Sequence, residues 1–86
     1  MMLAGERLRV ALVTIHCPLR DVAEKISKKL IVKTVTTTCQ ALKRDFAIKN
    51  PRVGVAALNP HAGESGLFGR EDIDIIKPAV EEARKW

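Results

Sequence analysis

At 86 residues the chain has room for one domain at most, and a core of that size is marginal. Apolar residues make up 47% of it, enough for a globular interior, but no apolar run approaches the roughly 20 residues that span a bilayer, so no membrane partner is expected. The formal charge of +5 raises nucleic acid as a partner class; the only basic cluster (Lys25, Lys28, Lys29, Lys33) fits a solvated helix face without interleaved aromatic rings, and nucleic acid is not expected.

The segment from Met1 to Arg7 lacks a basic region followed by a long apolar stretch, so no secretory signal is read and the cytoplasm is the expected compartment. Cys17 and Cys39 are the only cysteines. They do not make a disulfide framework, and reduced thiols are expected. Cys17 stands beside His16, which invites a Cys/His nucleophile or a thiolate ligand, but adjacent side chains rarely point the same way.

In chain order, Arg7–Thr14 is nearly all apolar at its centre, the pattern of a strand buried on both faces of a parallel sheet. His16 follows it by two residues. Pro18 suits a first helical turn, and Leu19, Val22, Ala23 and Ile26 recur at helical spacing. Ser27 and the two lysines after it mark a break. Seven of the eight residues of Ile31–Thr38 are β-branched, which favours a strand. Against that, Val32, Val35, Cys39, Leu42 and Phe46 repeat at spacings of three and four, and the pattern predicts a helix over Val32–Ile48. Lys49-Asn50-Pro51 ends it, since the residue before proline is pushed out of the helical region. Arg52–Leu58 reads as a second strand. Asn59–Gly69 is an eleven-residue loop with glycines at 63, 66 and 69, long enough in so small a chain to suggest function. A last helix begins near Arg70-Glu71-Asp72, its acidic first turn suited to the helix dipole. Ile73, Ile76, Val80 and Ala83 form its apolar stripe, and Pro78 should kink or split it.

Two strands joined by a helical crossover are expected to run parallel with a right-handed connection. Parallel strands put their C-terminal ends on one edge, where open α/β sheets bind ligands. His16 and His61 each leave such an end, so the pair reads as half of a divalent-metal site, imidazole being the commonest metal-ligating side chain. The plainer reading is two polar loop residues with no joint role. The glycine loop matches neither the Gly-x-Gly-x-x-Gly nor the P-loop pattern, and Glu64, Glu71 and Asp72 would repel a phosphate; Arg70 remains as a contact for an anionic substrate. Two strands alone make a marginal sheet, so self-association through strand edges, or membership of something larger, is expected.

At these residues the chain resembles the 4-hydroxythreonine-4-phosphate dehydrogenases of pyridoxal 5′-phosphate biosynthesis. The resemblance runs through Leu8-Arg-Val-Ala-Leu-Val-Thr-Ile-His16-Cys-Pro-Leu-Arg-Asp-Val22 and from Pro51 to Pro78, with Asn59-Pro60-His61-Ala62-Gly63-Glu64 as its most specific part. It implies an α/β fold: a strand–helix–strand fragment, with parallel strands, of the α/β/α architecture of isocitrate and isopropylmalate dehydrogenases. It implies oxidation of the 3-hydroxyl of 4-phosphohydroxy-L-threonine by NAD or NADP, then loss of carbon dioxide. It implies a divalent metal, zinc first and magnesium or cobalt as alternatives, held by three histidines of which two match His16 and His61. The expected partners are the phosphorylated hydroxy-amino-acid substrate and a second subunit, the family's active site lying at a homodimer interface.

Family members are several times longer, so residues 1–86 are expected to form a single partial domain. The third metal histidine and a substrate-binding lysine, asparagine and arginine are expected C-terminal to this segment, and a histidine–threonine pair N-terminal to it. Ser65 stands where glycine is common, and Ile15 and Cys17 replace the usual threonine and leucine. The isolated chain is therefore expected to lack dehydrogenase activity. The alternatives are a paralogue acting on another phosphorylated sugar acid and a non-catalytic oligomerisation module.

Overall fold

The computed structural model describes residues 2–5 and 7–85; Met1, Glu6 and Trp86, and what the sequence suggests of them, lie outside the described residues. Strand β1 (Met2–Ala4) pairs with β2 (Arg9–Ala11). The pair is antiparallel, with Met2 opposite Ala11, Leu3 opposite Val10 and Ala4 opposite Arg9. The Gly5 N–H donates to the Leu8 carbonyl at 2.8 Å and closes the turn.

This differs from the expected parallel pairing of two long strands. Among the described residues the single sheet is antiparallel, and Arg52–Leu58, expected as the second strand, joins no ladder. The physical reason is proximity in sequence. A short turn brings Met2–Ala4 onto β2 at little loop entropy, whereas Arg52–Leu58 would have to find a partner across the whole helical crossover.

After β2 a 3-10 turn at Leu19–Asp21 follows Pro18 and runs into α1 (Val22–Lys25). Ile26 and Ser27 are extended, and the Ser27 hydroxyl accepts from the Leu30 N–H at 3.1 Å. Ser27 thus caps α2 (Lys28–Asp45). The break expected at Ser27 and its lysines is at Ser27 itself; the lysines open the helix. Within α2 the threonines are accommodated by bonding backwards. Thr34 Oγ1 donates to the Leu30 carbonyl at 2.9 Å and Thr38 Oγ1 to the Thr34 carbonyl at 2.7 Å, a habit of helical threonine. The helix ends at Asp45 with Phe46 as its cap, earlier than the sequence suggests. Ala47 turns left-handed at φ 55°, and the Ile48 N–H donates to the Leu42 carbonyl at 3.0 Å.

The last helical stretch begins with five residues wound as a π-helix (Asp72–Ile76), then continues as α3 (Lys77–Ala83). Pro78 explains the change of winding: it has no N–H to give residue 74, and its ring crowds that carbonyl. α3 lies against α2. Ala79 is fully buried between them, and Ile31 and Leu42 complete the buried apolar core. A small residue at the crossing lets the two backbones approach.

Candidate functional site

The loop carrying His61 has an uncommon backbone. Asn59 is extended; then His61, Ala62, Gly63, Glu64 and Ser65 all take left-handed helical angles, with φ of 53°, 52°, 85°, 45° and 58°. Four of the five are not glycine, and L-residues cost about 1–2 kcal/mol each in this region. Backbone bonds close the turn: Ala62 N–H to the Asn59 carbonyl at 3.1 Å, Leu67 N–H to Glu64 at 3.2 Å, Phe68 N–H to Gly63 at 2.9 Å. Gly63 is buried against the Gly69 carbonyl, which a Cβ at position 63 would meet at 2.5 Å.

Asp72 anchors the start of this turn. Its carboxylate accepts from the Leu58 N–H at 2.9 Å, and from the Asn59 N–H and Asn59 Nδ2, each at 3.1 Å. Asn59 Nδ2 also donates to Glu71 Oε1 at 2.8 Å. That bond, with a backbone bond at Glu71, holds the Glu71 carboxyl below the ordinary carboxylate range, against desolvation and the repulsion of Asp72 and Asp74. From the sequence Asp72 reads as an acid suited to a helix dipole and repellent to phosphate, and Asn59 as part of the motif and its loop. The signal available was an acid beginning a helix just after a glycine-rich turn, where backbone N–H groups need acceptors.

The His61 ring is exposed and lies 6.4 Å from the Phe68 ring, tilted by 40°. His16 is also exposed, in the bend after β2, and is left-handed too at φ 53°. The two histidines share a backbone conformation, and neither ring makes a hydrogen bond among the described residues. No hydrogen bond or ring contact joins them among the described residues. Nor do three or more His, Cys, Asp or Glu side chains gather there into a group able to hold a metal ion. The donor chemistry fits zinc or another borderline divalent ion, for which imidazole is a good ligand. Two imidazoles fill half of a tetrahedral shell.

Two other candidates resolve differently. Arg70, offered as an anion contact, makes a two-point pair with Asp74 through Nε and Nη2, each at 3.2 Å. Cys17 and Cys39 are free, half-buried thiols. A largely apolar groove of about 610 Å³ runs between β2, α2 and the residues after Pro51, with Val10, Val35 and Val53 among its lining. No helix among the described residues is long and apolar enough to cross a membrane.

The family model described as pyridoxal phosphate biosynthetic protein PdxA matches residues 1–86. A 4-hydroxythreonine-4-phosphate dehydrogenase of Desulforapulum autotrophicum is 54% identical over 84 residues, 98% of this chain and 25% of that protein. Crystal structures of 4-hydroxythreonine-4-phosphate dehydrogenases from Klebsiella pneumoniae and Burkholderia phymatum superpose with TM-scores of 0.86 and 0.88, each at 39% identity over 98% of this chain. They are covered to 25% and 26% of their own lengths. The chain thus spans about a quarter of the length of the curated relatives it matches. A family match over every residue, and a backbone that superposes on solved members over 98% of this chain, make the chain a member of the PdxA family of pyridoxal phosphate biosynthetic proteins.

Proposed function

We propose that these 86 residues supply two metal-ligating histidines, His16 and His61, to a 4-hydroxythreonine-4-phosphate dehydrogenase. The reaction is oxidation of 4-phosphohydroxy-L-threonine by NAD or NADP with loss of carbon dioxide, in the cytoplasm, at a site shared between two subunits. The observation that carries this reading is the left-handed turn of His61–Ser65, which holds an exposed imidazole inside the Asn-Pro-His-Ala-Gly-Glu motif. Backbone strain of this kind collects at functional sites, where surrounding structure maintains it. The chemistry a divalent ion supplies there is polarisation of a bound hydroxyl or carbonyl oxygen. The chain's own part is to hold imidazole nitrogens ready and to fix their direction.

In the assembled enzyme, Arg7–Thr14 and Arg52–Leu58 are neighbouring strands of a parallel α/β/α sheet, and the fact that Arg52–Leu58 joins no helix and no ladder among the described residues supports this. By itself the 86-residue chain binds metal without turning over substrate, because two imidazoles leave the shell half filled. Robust NAD reduction by the purified chain with the phosphorylated substrate would overturn that part.

The deciding experiment is a zinc titration by calorimetry on the chain and on His16→Ala and His61→Ala. Saturable one-site binding, lost in both variants, is the expected outcome. Binding indifferent to either substitution would remove that histidine from the site.

A second reading, a self-association module, is favoured by the solvent-facing Leu3, Leu8, Leu19 and Leu67, which are between 59% and 88% exposed.

A further inference from the structure

We propose that Asp72 is a positioning residue for His61: it holds the turn that presents the imidazole and is not itself a metal ligand. The inference rests on the reading of His61 as a ligand, and it concerns how that ligand is kept in place.

An aspartate near a candidate metal histidine is ordinarily counted as a further ligand. Here both oxygens are committed. Oδ1 accepts from the Leu58 N–H, and Oδ2 from the backbone and side-chain N–H groups of Asn59. The residue is 7% exposed. A buried carboxylate satisfied by three N–H donors is anchored by them, and turning an oxygen outward would strand those donors without partners. Its donors are the last two residues before Pro60, which has no N–H to offer, and His61 follows directly. Asp72 therefore fixes the point at which the chain enters the left-handed turn.

The far end of the turn is held by neighbours of Asp72. Phe68 N–H donates to the Gly63 carbonyl, and Gly63 lies against the Gly69 carbonyl. Residues 58–59 and 68–72 together form a clamp around residues 61–65. Four residues other than glycine inside the clamp would relax to ordinary angles if it opened, and the His61 ring would leave its place beside Phe68.

The test uses the 86-residue chain with Asp72→Asn, Asn59→Ala and Asp74→Asn. The last is a control, since the Asp74 carboxylate pairs with Arg70 at the surface. Two readouts are taken. One is the nuclear Overhauser contact between the His61 and Phe68 rings, whose centroids lie 6.4 Å apart, together with exchange protection of the Phe68 amide. The other is zinc affinity. Asp72→Asn is expected to lose the ring contact and the Phe68 protection while α2 amides stay protected, and to weaken zinc binding about 10- to 100-fold, as loss of a ligand's supporting partner does. Asn59→Ala moves the same way by less, and Asp74→Asn matches the parent chain.

Retention of the ring contact in Asp72→Asn, or parent-like zinc affinity without it, overturns the proposal. If Asp72→Asn loses protection along α2 as well, Asn59→Ala decides: loss of the ring contact with α2 intact supports the clamp, and its retention refutes it. If the parent chain takes up no zinc while Asp72→Asn still loses the ring contact, the metal reading falls and the positioning of His61 stands.

Discussion

The turn at His61–Ser65 holds four non-glycine residues at positive φ, an unfavourable arrangement of about 4–8 kcal/mol at 1–2 per residue. The three hydrogen bonds accepted by the buried Asp72 offset a similar amount, since bonds to a charged group contribute about 1.5–3 kcal/mol each. Gly63 has no such margin. An alanine there would keep a φ of 85° and drive its Cβ to 2.5 Å from the Gly69 carbonyl oxygen. Gly63→Ala is therefore expected to cost about 2 kcal/mol or more and to lower Tm by about 10 °C in a domain of this size. Gly54 is the contrast: a Cβ there meets nothing within 4 Å. Gly54→Ala should shift stability by less than about 1 kcal/mol, upward. Equal melting curves for the two variants would refute the argument. Glu71 offers a pH prediction at the same scale. Folding lowers its pKa from the ordinary 4.5, chiefly through the Asn59 side chain. The carboxylate thus favours the fold above that pH, and the contribution is lost as pH falls through the lowered folded value. Asn59→Ala should move the Glu71 titration upward when followed by NMR; an unmoved titration would count against the bond.

At the scale of elements, α2 shows how a strand-like composition becomes helix. Its β-branched run carries a period that buries Ile31 and Leu42 on one face, and the hydroxyls of Thr34 and Thr38 are satisfied within the helix itself. The residual cost of the threonines makes the cap matter. Ser27→Ala removes the acceptor for the Leu30 N–H and should destabilise the chain by about 1 kcal/mol, read as a lower urea midpoint at unchanged slope. An unchanged midpoint would mean that tertiary packing alone holds α2. At the other end of this helix Ala47 takes a left-handed position that glycine usually fills, so Pro51 warned of a stop but nothing in the composition marked its place at Asp45. Pro78 carried a warning too, and the answer is a π-wound turn, which keeps the helical stretch continuous while giving up one bond.

Over the whole molecule the chain is under-packed. Its radius of gyration is 13.5 Å, against about 12 Å for a compact domain of this length. Among the described residues Ile31, Leu42 and Ala79 are the buried apolar ones, and β2 pairs on one edge only, its other edge lying beside the apolar groove. Free strand edges and contiguous apolar surface drive association. The purified chain is expected to sediment as a dimer or larger species, with the distribution shifting toward monomer on dilution. A monodisperse monomer at high concentration would refute this. The Lys28–Glu82 pair between α2 and α3, 3.8 Å apart and partly exposed, adds little to the helix packing, so salt should leave the stability of the fold nearly unchanged.

The amino-acid sequence by itself determined what depends on local chemistry and on specific words in the chain. The 3.6-residue period placed α2, the glycines and prolines placed the loop from Asn59 to Gly69, and the Asn-Pro-His-Ala-Gly-Glu motif led to the family that the comparisons bear out. Only the tertiary structure decided what depends on partners distant in the chain. Asp72 reads as a surface acid until its carboxylate is seen buried against Leu58 and Asn59, thirteen or fourteen residues earlier. The antiparallel pairing of Met2–Ala4 with β2 is by contrast local, closed by a short turn between segments adjacent in the chain. Periodicity reports the face a residue turns inward; which group meets it there is settled by three-dimensional closure, where hydrogen-bond donors left by one segment find acceptors on another.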